Sequence, residues 1–152
     1  NVQTLKIVLP KLTDSNNIHV EVKPLIVKQN WGEITTENRL GIEVDRYKLG
    51  VLRYTFPTGE SSTSLISRLT TFKEKIFEIQ KEMGHDIVVF SHGFEFRVLL
   101  MIIMGWEEEL FESFGNLDNC EYRILTREEG GRYTLNKPLR KHGLPITRIQ
   151  KR

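Results

Sequence analysis

His85-Asp86-Ile87-Val88-Val89-Phe90-Ser91-His92-Gly93, running on into Phe94-Glu95-Phe96-Arg97-Val98-Leu99-Leu100-Met101-Ile102-Ile103-Met104-Gly105, is the stretch on which the fold turns. Four apolar residues in succession, two of them valine, spell a short strand buried on both faces, as in the parallel sheet of an α/β domain. The run after Gly93 predicts a helix. Together they set Ser91 and His92 at the carboxyl end of a buried strand, beside the free N–H groups of a helix N-terminus, which is an anion site in outline. A histidine in such a place can equally be a hydrogen-bonded structural residue. Its small neighbours leave the imidazole uncovered, however, and Gly93 lets a ligand come close to the backbone.

Upstream, Leu65, Leu69, Phe72, Ile76, Ile79 and Met83 recur every three or four residues, predicting an amphipathic helix of some five turns that Gly84 closes. Before it, Phe56-Pro57-Thr58-Gly59-Glu60-Ser61-Ser62 is loop, and Leu40, Val44 and Tyr47 mark the apolar face of a helix from about Glu37 to Leu49. Gln29-Asn30-Trp31-Gly32 forms a loop after Ile18, Val20 and Val22, whose alternation with His19, Glu21 and Lys23 predicts a half-exposed strand. His19 falls on its solvated side. Thr4 to Leu12 reads as the end of a helix. Downstream, Glu107, Glu108 and Glu109 open a helix that buries Leu110, Phe111 and Phe114. Asn119 to Thr126 is a strand, and Glu128-Glu129-Gly130-Gly131 turns it back through Tyr133 to Leu135 as a hairpin. Helix, strand, Ser-His-Gly turn and helix in that order predict an α/β three-layer sandwich with a mostly parallel central sheet.

The 152 residues suit one domain, and 39% apolar content is ordinary for a soluble protein. The longest apolar run, Val98 to Met104, is too short to span a membrane, so no membrane partner is expected. A lone Cys120 excludes an internal disulfide, and no secretory signal opens the chain. A cytoplasmic or nuclear location is the expectation. The scattered histidines and single cysteine form no metal-ligand set, and neither a phosphate-loop nor a dinucleotide fingerprint occurs, so no metal or cofactor is expected. Net charge is +2, yet Lys137, Arg140, Lys141, Arg148, Lys151 and Arg152 follow Asn136 without an acid, which leaves the body acidic. Residues 144–152 are read as a basic tail, solvated or turned to nucleic acid or an acidic partner. Phe94, Phe96, Trp106, Phe111 and Phe114 suit a core, with a homodimer contact as the alternative.

Three pieces then line up: Ser91-His92-Gly93 at a strand end, Phe56-Pro57-Thr58-Gly59-Glu60-Ser61 before a long helix, and Gln29-Asn30-Trp31-Gly32 after a strand. With Asn119-Cys120-Glu121-Tyr122-Arg123 and Gly131-Arg132-Tyr133 they resemble the histidine phosphatase superfamily, in its phosphoglycerate-mutase-like branch of fungi and plants. The likeness runs over residues 1–143. It implies a phosphoglycerate-mutase-like fold and a phosphomonoester phosphatase, or a mutase, working through a phosphohistidine on a small phosphorylated metabolite. In such an enzyme a histidine in Arg-His-Gly takes the phosphoryl group, two arginines and a second histidine clamp it, and a carboxylic acid protonates the leaving oxygen.

Carried over by position, His92 is the second histidine, and Ser91, Gly93 and Phe94 with their backbone amides complete the phosphate contact. Arg-His-Gly is absent from the sequence. Thr4 fits the threonine that follows the family's second arginine by four residues, so the likeness sets both that arginine and the nucleophile before Asn1, a fold incomplete at its N-terminus. The family's acid is a glutamate four residues before the glycine matched by Gly32, and here that position is Lys28. Glu33 and, further on, Glu37 are the acids close enough in sequence to substitute. Lys28 also supports a second reading, a catalytically inactive module that keeps the fold to bind a protein or an anion.

Overall fold

The computed structural model describes residues 2–12 and 17–142. Its helices are α1 (Val2–Val8), continued by a 3-10 turn over Leu9–Lys11, α2 (Thr36–Leu49), α3 (Ser62–Met83), α4 (Gly93–Met104) and α5 (Glu108–Glu112). A second 3-10 turn spans Pro24–Ile26. Strands β1 (Leu125–Arg127) and β2 (Tyr133–Leu135) pair antiparallel, Leu125 opposite Leu135 and Arg127 opposite Tyr133.

Helix starts follow their capping residues. Thr35 and Asn38 form a reciprocal capping box at α2, and the Ser61 hydroxyl accepts from the Ser64 N–H at α3. Gly84 ends α3 in the left-handed conformation, φ 67°. The expected stripe on α3 buries Leu65, Leu69 and Phe72 against Val98 and Leu99 of α4, with Ile26, Val51 and Phe111 closing the cluster. Each such side chain contributes roughly 1.5–3 kcal/mol by leaving water. The stripe surfaces at its far end, where Met83 is 63% exposed. A smaller cluster of Leu100, Phe114 and Leu139 ties α4 to the hairpin, and Phe77 of α3 stacks on Tyr133 at 5.0 Å.

Several expectations need correction. In α2 the positions chosen for burial, Leu40 and Tyr47, are exposed, and the helix buries Arg46 instead, because three aromatic rings and not an aliphatic core face it. Leu110 is exposed while Phe111 and Phe114 are buried, since α5 has only five residues and turns one side inward. In the segment expected as a strand from Asn119 to Thr126, only its last two residues join the ladder. A turn at Asn119–Cys120 occupies its start, with Cys120 at φ 62°.

Among the described residues β1 and β2 are the whole sheet. Residues 85–91 and 18–22, the two expected strands before them, have neither helix nor ladder, and Val88 and Val22 are 75% and 70% exposed. The helices on either side of residues 85–91 nevertheless form as expected, and His92 is extended as it enters α4. Arg140 of the basic stretch is engaged by Asp118 and Glu121, whereas residues 144–152 lie outside the described residues.

Candidate active site

Two loops, residues 29–33 and 56–60, meet edge to edge. A Cβ on Gly32 would stand 2.3 Å from Thr58 Oγ1, and one on Gly59 2.5 Å from the Asn30 carbonyl, so only glycine permits this approach. The Glu60 N–H donates to the Asn30 carbonyl at 2.7 Å, the Glu33 N–H to Thr58 Oγ1 at 2.9 Å, and Gln29 Nε2 to the Glu60 carbonyl at 3.0 Å. Glu60 in turn holds Arg68 of α3 through two oxygens, at 2.5 and 2.9 Å, while Arg68 donates onward to the Leu25 and Val27 carbonyls. The segment around Lys28 is thereby fixed to the core helix by charge-assisted bonds.

Against this frame lies a pocket of about 310 Å³, lined by Lys28, Trp31, Glu43, Arg46, Tyr47, His92, Gly93, Phe94, Glu95 and Asn116. His92, at the N-cap of α4, is exposed, and no side chain caps that helix, so its first N–H groups have no intrahelical acceptor. Packing also favours glycine at Gly93: a Cβ there would meet Asn116 Cβ at 3.0 Å and the Leu117 carbonyl at 3.1 Å. Four of the expected residues, Lys28, His92, Gly93 and Phe94, are thus brought to one place. Ser91 and Glu33 are not among the lining residues; the Ser91 hydroxyl donates to the Ile26 carbonyl at 2.9 Å and holds the loop. Glu37, in the first turn of α2, is exposed, and its bond from Thr35 holds its carboxyl below the usual range.

Arg46 and Glu95 complete the site. Arg46 is 8% exposed, its guanidinium 5.1 Å from the Trp31 ring centre, 5.7 Å from Phe56 and 4.3 Å from Phe94. Its Nε and Nη2 have no hydrogen-bond partner. Burial pushes the guanidinium below its ordinary value, with Tyr47, Glu112, Glu95 and Glu43 opposing, yet a guanidinium stays charged at neutral pH. Lys28 Nζ lies 5.6 Å from the same Trp31 ring, so two cations share one aromatic. Glu95 is 1% exposed; its Oε1 accepts the Gln29 N–H at 2.6 Å, and its Oε2 has no partner. Behind it, Arg97 lies 4.4 Å from the Phe111 ring centre and donates to the Phe114 carbonyl. Burial brings Arg97 down to about 10, against the pull of Glu112.

Such an arrangement, two cations, a histidine and a helix start without a side-chain cap around a cavity open to solvent, is of a kind that can take an oxyanion. The model of the histidine phosphatase superfamily (branch 1) matches residues 2–137. The chain belongs to that superfamily. It is 29% identical over 118 residues to the phosphoglycerate mutase-like protein AT74H of Arabidopsis thaliana, covering 72% of this chain and 42% of the relative. It is 30% identical over 119 residues to the phosphoglycerate mutase-like protein AT74 of the same plant, covering 72% and 38%. Identity with the broad-range acid phosphatase DET1 of Saccharomyces cerevisiae is 32% over 129 residues, covering 80% and 39%. This histidine phosphatase chain therefore spans about two-fifths of the length of the curated relatives it matches.

Neither Arg46 nor Glu95 was singled out from sequence, although one signal was present for the second. Glu95 and Arg97 are the only charges in an otherwise apolar helix from Gly93 to Met104, and a helix apolar all round is buried, which makes any charge in it a candidate for a site. Among the described residues no group of three or more histidines, cysteines and acids is placed to hold a metal ion, and no helix is long and apolar enough to cross a membrane.

Proposed function

We propose that this chain supplies the second-histidine half of a phosphomonoester phosphatase, or of a mutase, that works through a phosphohistidine on a small phosphorylated metabolite. One observation carries the reading: Lys28, His92 and the uncapped start of α4 line the same pocket as Arg46, whose buried guanidinium keeps two nitrogens without partners. A buried donor left unmet costs about 1–3 kcal/mol, more for a charged group, and a phosphoryl oxygen that reached these nitrogens from the pocket would remove that cost. His92 and the α4 amides then neutralise equatorial oxygens as charge develops on them. The fold that goes with this activity is a three-layer sandwich in which residues 87–90 form a central parallel strand. The exposed Val88, apolar and unpaired, supports that placement.

The test is p-nitrophenyl phosphate turnover by the natural full-length polypeptide. Turnover is expected, falling at least about 100-fold in His92→Ala, the size of effect a positioned proton-handling or charge-stabilising group gives. Lys28, a cation where the family places its acid, favours a second reading, an anion-binding module without hydrolysis. Inorganic phosphate bound by the pocket with no turnover would select that reading and exclude the first.

A further inference from the structure

Lys28 removes a carboxyl from the position where the resemblance expects one, and the pocket contains two other acids, Glu43 and Glu95. Glu43 is partly exposed and accepts from Arg39 Nε at 2.9 Å, one turn back along α2. Glu95 is different. Its side chain is held from below, Oε1 against the Gln29 N–H at 2.6 Å, and Oε2 is buried without any partner. A buried carboxyl oxygen that nothing meets is rare in a folded protein and points to a ligand, a proton or both. Gln29 is the neighbour of Lys28 in the chain, so the bond that fixes Glu95 also fixes it beside the position the missing acid would occupy. Helix α4 carries His92 at its N-cap and Glu95 three residues on, which keeps phosphate contact and carboxyl on one rigid element.

We infer that Glu95 is the proton donor to the leaving oxygen of the phosphoryl substrate, the acid having moved from the Lys28 loop to the first turn of α4. The inference rests on the phosphatase reading above. In the first step the nucleophile, by chemical class an imidazole, forms a bond to phosphorus as the bond from phosphorus to the leaving oxygen breaks, and the proton on Glu95 Oε2 passes to that oxygen. In the second, a water oxygen bonds to phosphorus, the phosphorus–nitrogen bond breaks, and the Glu95 carboxylate takes the proton the water releases. Inorganic phosphate leaves and Glu95 is protonated again. Lys28 and Arg46 hold the phosphoryl oxygens and take no proton.

The test compares two substrates on Glu95→Gln in the natural full-length polypeptide. An alkyl phosphate such as β-glycerophosphate needs its leaving oxygen protonated, whereas p-nitrophenolate leaves as a stable anion. The glutamine keeps the acceptor for the Gln29 N–H and cannot donate an acid proton. The kcat/KM for β-glycerophosphate, which reports the leaving-group step and not hydrolysis of the shared phosphoenzyme, is expected to fall about 100-fold or more while that for p-nitrophenyl phosphate changes less than about fivefold. Because both rates are taken on one sample, their ratio does not depend on the fraction folded. Glu95→Asp, with its carboxyl drawn back by one methylene, is expected to move the ratio in the same direction by less. Equal loss of kcat/KM on both substrates would overturn the inference and leave Glu95 a structural partner of Gln29. No turnover of either substrate by the unsubstituted protein would overturn the phosphatase reading, and the inference with it.

Discussion

Arg46 tests at the scale of one residue whether a buried charge is there for stability or for a ligand. A guanidinium removed from water is costly, and rings contribute only part of what water gave. Here Nε and Nη2 have neither acid nor carbonyl to meet. Replacing such a group with an apolar residue of similar length is commonly neutral or stabilising. Arg46→Met is therefore expected to leave the melting temperature unchanged or higher while weakening inorganic phosphate binding about tenfold or more, read by calorimetric titration of the same sample. A large fall in melting temperature would mean the guanidinium is structural. The contrast also shows why the residue was illegible in the sequence. Spacing alone put Leu40 and Tyr47 on the inner side of α2, and nothing in the spacing says that Trp31, Phe56 and Phe94, from three separate segments, converge to make an arginine the better-buried residue.

Among elements, the pocket depends on a loop held against α3 rather than on the helices alone. Arg68 is the joint: it binds Glu60 through two nitrogens and the Leu25 and Val27 carbonyls besides, with its side chain only 16% exposed. Hydrogen bonds to charged groups are worth roughly 1.5–3 kcal/mol when little water competes, so Arg68→Leu is expected to cost about 2–4 kcal/mol in urea unfolding and to raise the Kd for phosphate as Lys28 loses its anchor. Loss of stability without any change in phosphate affinity would separate the joint from the site. Helices of this chain were readable because their signals are local: Gly84 closes α3, and Leu65, Leu69 and Phe72 share one face. The loops were readable only as turns. Their partnership, Gly32 against Thr58 and Gly59 against Asn30, joins residues about 26 to 29 positions apart and leaves no periodic trace.

Over the whole molecule, the helices and hairpin enclose two apolar clusters, yet the segment that led the reading, residues 85–91, has no ladder. The residues that spell a doubly buried strand are only partly covered, and Val88 is 75% exposed. A strand's pattern specifies which faces want burial; it does not contain the neighbours that bury them, because ladder partners are non-local. Ser91 through its Ile26 bond and His92 at the N-cap of α4 still set the two ends of the Ser-His-Gly turn, which is why that turn was legible while the sheet was not. Hydrogen exchange decides whether residues 87–89 are strand in the working protein. In the 152-residue chain by itself their amides lack ladder acceptors and are expected to exchange within seconds to minutes, while those in the middle of α3 and α4, next to Leu69 and Val98, are protected about 100-fold or more. In the natural full-length polypeptide, a parallel partner beside residues 87–90 would bring their protection up to that of α4. Equal, fast exchange in both would leave residues 85–91 a loop that only carries His92, and would remove the central parallel sheet from the proposed fold.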